Sequence, residues 1–143
     1  MALELVVLVC GQAGQASRAL EALKKKGHPA ARNAVVLLQD RAGQIIVFET
    51  GDVTPEHGGL LGTVTGLLIG LLGNLGSEGI AAQAASLGFT KEQLAVLPAD
   101  LEPGGSALVL LVETERVEGT LDLLAAFEGQ IWQQALVDDL SRS

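Results

Sequence analysis

Six glycines in the middle of this chain, Gly58, Gly62, Gly66, Gly70, Gly73 and Gly76, recur at spacings of four and then three residues. At about 100° per residue a helix would gather them within an arc of about 120°. Leu60, Val64, Leu67, Leu68, Leu71 and Leu75 fall on the opposite arc, so one face is smooth, broken by Ile69, and the other is an apolar ridge. A glycine inside a helix costs roughly 0.5–1 kcal/mol relative to alanine, so four or five of them cost on the order of 3–5 kcal/mol. Close packing of another helix into the smooth face would offset that cost, as in small-xxx-small contacts. The expected helix-packing or oligomer residues are therefore Gly58, Gly62, Gly66, Gly70, Gly73 and Gly76.

Two partners are open to that face. Gly73-Asn74-Leu75-Gly76-Ser77 reads as a turn, and Ser77 can cap a second helix over Glu78 to Leu87, rich in Gly79, Ala81, Ala82, Ala84, Ala85 and Ser86. A helical hairpin would then form within residues 58–88. The other partner is the same column of a second copy. Residues 57–77 carry no acid, Lys or Arg, a length that could span a bilayer. Gly, Thr63, Thr65 and Asn74 dilute the hydrophobicity, and both flanks are acidic, through Asp52 and Glu56 and then Glu78, with no positive-inside signal. A spanning segment would also separate the two halves of one sheet. The segment is read as a packed hairpin or interface, with shallow membrane insertion as the alternative.

Around this middle lie two similar halves. Leu5 to Val9 is a continuous, β-branched apolar run, the pattern of a strand buried on both faces. A helix follows over Gln15 to Lys26, with Ala16, Ala19, Leu20 and Leu23 on one face, and Gly27 with Pro29 ends it. Val35 to Leu38 and Ile45 to Phe48 form a strand pair around the turn Asp40-Arg41-Ala42-Gly43. After the glycine column, Thr90 and Gln93 make a capping box and Phe89 with Leu94 a hydrophobic staple for a short helix ending at Pro98. Ala107 to Val112 is another apolar strand. Val117, Thr120, Leu121 and Leu124 mark a helix face, and Ile131 to Val137 alternate as a last strand. Two strand–helix–strand units predict an α+β ferredoxin-like sandwich in one domain, residues 1–143, carrying the glycine-zipper hairpin as an insertion.

Composition narrows the function classes. The chain has 48% hydrophobic and 18% charged residues, too apolar for a disordered segment. A net charge of −8 with 3% aromatics leaves little for phosphate neutralisation or base stacking, so nucleic acid is not an expected partner. One cysteine, Cys10, permits no internal disulfide or thiolate cluster and suits a reducing compartment. The N-terminal run contains Glu4 and lacks a basic region, and Val9 precedes Cys10 where a lipoprotein would carry a small residue, so the expected location is the cytoplasm.

No catalytic, cofactor-binding or metal constellation emerges. His28 and His57 stand in no triad or zinc spacing. Gly11-Gln12-Ala13-Gly14 is similar to a phosphate-binding turn but lacks the third glycine of a dinucleotide fingerprint and a Walker lysine. Glu49, Asp52, Glu56 and His57 read as a solvated acidic loop. Arg18, Lys24, Lys25, Lys26 and Arg32 form the basic concentration of the chain, a solvated helix end that could also touch an anionic membrane.

The order of these parts resembles a bacterial family, domain of unknown function 1269. The opening strand Leu3 to Val9, the pair Val35 to Leu38 and Ile45 to Phe48, then Thr50-Gly51-Asp52-Val53-Thr54 before the glycines, and Pro103-Gly104-Gly105-Ser106-Ala107-Leu108 carry the resemblance. It covers nearly the whole chain, through motifs that are mainly glycine- and leucine-rich. Family members are often labelled membrane proteins because of the same glycine-rich middle, which is short here. The resemblance implies a ferredoxin-like module with a glycine-zipper insertion and no catalytic residues to carry over. The functional expectation is a non-enzymatic cytoplasmic protein that self-assembles through the glycine helix, with a membrane surface or lipid as a second partner, peripheral to the inner membrane. The alternative is a small-ligand or lipid-binding module with a pocket between sheet and hairpin.

Overall fold

The computed structural model describes residues 3–42, 44–51, 53–54, 58–72 and 104–136. They form an α+β structure of five strands and three helices. In chain order these are β1 (Leu3–Cys10), α1 (Gln15–Lys25), β2 (Ala34–Gln39), β3 (Ile45–Thr50), α2 (Gly58–Leu72), β4 (Ser106–Glu113), α3 (Val117–Leu124) and β5 (Gln130–Ala135). Short 3₁₀ turns at Pro29–Arg32 and Thr114–Arg116 precede β2 and α3.

The sheet is antiparallel throughout, in the order β3-β2-β4-β1-β5. β1 lies between β4 and β5, with Val7 opposite Val109 on one side and Trp132 on the other. The halves β1-α1-β2 and β4-α3-β5 therefore interlock, and β3 adds an edge next to β2.

Period-two alternation splits the apolar strands between two cores. Val6, Leu8 and Cys10 of β1, Val36 of β2, and Leu108, Leu110 and Val112 of β4 pack with Ala16, Ala19, Leu20 and Leu23 of α1 and Val117 and Leu124 of α3. Leu5, Val7, Val9, Val35, Leu37, Val109 and Leu111 face the other way and meet Leu61, Val64, Leu67 and Leu68 of α2. The uninterrupted apolar runs of β1 and β4 have this double burial as their cause.

Local chemistry sets the element ends. The N-cap position of α1, Gly14, offers no side chain, and the distant Ser106 supplies the missing group. Its Oγ accepts from the Ala16 amide at 3.2 Å and donates to the Gln12 carbonyl at 2.6 Å. At the other end, the Gly27 amide donates to Lys24 O at 3.0 Å and the His28 amide to Leu23 O at 3.0 Å, a Schellman closure. Gly27 sits at φ 63°, the left-handed conformation this closure needs. The expected Asp40 turn is present, Asp40 Oδ1 accepting from the amides of Ala42 and Gln44, each at 2.9 Å. A side chain at Gly129 would come within 2.5 Å of the Val9 carbonyl, so a glycine is needed where the chain crosses β1.

Candidate functional site

α2 is the element from which a site was expected. Its ridge packs on the sheet much as the helical period predicts, with one shift: Leu61 is buried, whereas Leu60 is half-buried. Gly59, Gly62, Thr63 and Gly66 are exposed on the opposite face. A Cβ built on Gly59, Gly62 or Gly66 would meet nothing within 4 Å, while one on Gly58 would touch Val53 Cγ1 at 3.3 Å. Nothing of the protomer's described residues thus forces glycine at 59, 62 or 66. Gly70 belongs to α2, and Gly73, Gly76, the second hairpin helix over 78–87 and the capping box at 90–93 lie outside the described residues.

Beside the glycines runs a groove of about 390 Å³ between α2 and β3. Gly58, Gly62 and Gly66 form one wall, Val47 and Val53 the other, and Val35 the floor. Thr65, 7% exposed, also lines it, and its Oγ1 is buried without a hydrogen-bond partner. Entry to α2 is fixed by Asn33, whose Oδ1 accepts from the Thr54 amide at 3.0 Å, and by the Gly51 amide donating to Ala34 O at 2.8 Å.

β3 carries exposed apolar side chains at the sheet edge, of which Val47 lines the groove, while Ile46, paired with Leu38, belongs to the opposite face. Ile46, Val47 and Phe48 are exposed, Phe48 to 57%. The register slips between Val36 and Leu37, so that Glu49 faces Val36, Val47 faces Leu37, and Phe48 is left without an opposite number. Such a bulge on an edge strand disfavours simple edge-to-edge pairing.

The remaining candidates separate. Cys10 is buried opposite Ser106 in the sheet, and burial raises its thiol to about 11, with the Ser106 hydrogen bond pulling weakly the other way. It is protonated and inert at neutral pH. The Gly11–Gly14 loop has spent the Ala16 amide on Ser106 and the Gln15 amide on Gln12 O. Of the acidic loop, Glu49 is on β3, and Asp52, Glu56 and His57 lie outside the described residues. Among the described residues no group of three His, Cys, Asp or Glu side chains could hold a metal ion. Among them, too, no helix is long and apolar enough to cross a membrane.

A second concavity, also of about 390 Å³, lies on the α1 side, lined by Lys24, Gly27, His28, Ala31 and Arg32. Of its lining residues, Lys24 was legible as part of a basic helix end, together with Lys25 and Lys26, which do not line the pocket. The pocket itself was not, because it needs the Gly27 reversal to bring His28 and Arg32 to the same concavity as Lys24.

No family model, no curated protein and no solved structure matches this chain.

Proposed function

We propose that this is a non-enzymatic cytoplasmic protein that self-assembles through the glycine face of α2, with a membrane surface or lipid as its second partner. The fold reading that accompanies it is a ferredoxin-like sandwich, with β3 as an added edge strand and the glycine-zipper hairpin over 58–88 as an insertion. It is the arrangement that the resemblance to the domain of unknown function 1269 family implies. One observation carries the reading: Gly62 and Gly66 stand exposed in mid-helix with open space where a side chain would be. Their helix cost goes uncompensated by the described part of the protomer, and a helix of a second copy laid along them beside Val47 would offset it.

Light scattering in detergent-free buffer tests this directly. A discrete oligomer that becomes a monomer in Gly62→Leu/Gly66→Leu, with unchanged circular dichroism, is the expected result. An oligomer unaffected by that double change rules the interface out.

A second reading has its own observation. The α2–β3 groove has the volume of a small-ligand site and an aliphatic lining, and Thr65 Oγ1 lacks a partner beside it. A small apolar ligand or lipid chain carrying one polar group fits that chemistry. Native mass spectrometry that finds the purified protein free of bound lipid or metabolite removes this alternative.

A further inference from the structure

The pocket at the end of α1 is cationic in a chain of 17 acids and nine Lys and Arg. Lys24 contributes from the last turn of α1, Arg32 from the 3₁₀ turn, and His28 from the bend between them. No carboxylate is among its described lining residues. Among the described residues, neither Lys24 nor Arg32 has an ion-pair partner. The one ion pair among the described residues is Arg116 with Glu113, at 3.7 Å.

The bend holds the histidine in a defined state. His28 Nδ1 accepts from the Ala30 amide at 3.1 Å, so in the neutral ring the proton sits on Nε2. Partial burial first, and the nearby Arg116 second, hold His28 below its ordinary value. The charged groups placed around it are thus Lys24 from α1, Arg32 from its own turn, and Arg116, with Glu113 paired to it, from the segment before α3. A side chain on Gly119 of α3 would approach Nε2 at 3.9 Å, so α3 backs the ring. Gly27 lines the same concavity in a left-handed conformation that L residues avoid.

We infer that the pocket formed by Lys24, His28 and Arg32 is a binding site for a phosphoryl group, carried by a small phosphomonoester or by a lipid headgroup. Two unpaired full charges match a dianion better than a monocarboxylate, and the Arg32 fork can bind two of its oxygens together. The concavity leaves room beyond the phosphoryl oxygens for an organic substituent. This site lies on the opposite face of the sheet from the α2 groove, so it stands or falls independently of self-assembly.

The test is titration of the full-length protein with inorganic phosphate at about pH 7.5, where phosphate is mainly the dianion. The His28 ring resonances are followed by NMR. A saturating shift of His28 with Kd near 1 mM, roughly, is expected, together with a raised His28 pKa in the complex. Lys24→Gln/Arg32→Gln should weaken binding by about tenfold or more while leaving the amide spectrum otherwise folded. Vesicles of phosphatidylcholine with phosphatidic acid, whose headgroup is a phosphomonoester, form the second arm. Binding to them that the double variant loses, without a response to free phosphate, assigns the site to a lipid headgroup. A His28 shift reproduced by chloride at equal ionic strength, one that survives in the double variant, or none in either arm overturns the inference.

Discussion

On one face of the sheet α1 and α3 together cover Val6, Leu8, Val36, Leu108 and Leu110. On the other, α2 covers Leu5, Val7, Leu37 and Val109, and a groove between α2 and β3 leaves Val47 exposed. The first face is built of leucines and alanines that interdigitate. The second presents a helix whose inner side is leucine and whose outer side is glycine. Glycines at 51 and 129 are required by backbone contacts, since a Cβ on Gly51 would overlap the Ala31 carbonyl. Those at 62 and 66 are not. The difference separates glycines that the protomer's own backbone requires from glycines that none of the described residues requires.

Truncations in the two cores should show this contrast most strongly. Leu20→Ala, in the doubly covered face, is expected to cost about 3–4 kcal/mol, and Leu61→Ala, at the groove wall, about 2 kcal/mol, because that wall has space to relax. Urea denaturation of the two variants measures it, and equal losses would mean the groove is as rigid as the sealed core.

Alkali should weaken the sealed face next. An unfolded Cys10 thiol ionises near 9.0 and the folded one near 11, so the unfolded state sheds its proton first. Stability is intact below pH 9 and falls by on the order of 2 kcal/mol as pH rises to about 11. Cys10→Ala should flatten that slope relative to wild type in the same denaturation series.

Ser106→Ala removes the distant cap of α1 and orphans the Ala16 amide, with an expected loss of about 1–2 kcal/mol. A smaller loss, read by thermal melting, would mean water replaces the hydroxyl. The smallest effect has the opposite sign. Gly62→Ala and Gly66→Ala should each stabilise the isolated protomer by about 0.5–1 kcal/mol, since the added methyl meets nothing. In the assembled protein the same changes should reduce affinity. Destabilisation of the monomer instead would show that the glycines serve the protomer after all.

These residues also show how much of the fold is legible in the chain itself. The double burial of β1 was legible in Leu5 to Val9 because continuous apolar runs have few other uses. The split of α2 into glycine and leucine faces followed from the helical period, with an error of one position at Leu60 and Leu61. The Ser106 cap was not legible, because donor and acceptor are 90 positions apart and Ser106 reads locally as a strand start. Nor was the His28 pocket. Lys24, Lys25 and Lys26 read as a solvated helix end and are exposed, but that Lys24 shares a concavity with His28 and Arg32 depends on the Gly27 reversal, which the run of lysines does not reveal.

The central position of β1 has a consequence for synthesis. Both of its neighbours, β4 and β5, come from the far end of the chain, beginning at Ser106. At about 5–20 residues per second, roughly 5–20 s separate the emergence of β1 from the ribosome and that of its first partner. Throughout that interval the apolar strand β1 has neither of its pairing strands and α1 lacks the Ser106 cap. The nascent chain thus offers a chaperone a window that the finished protein, with both edges of β1 paired, has closed.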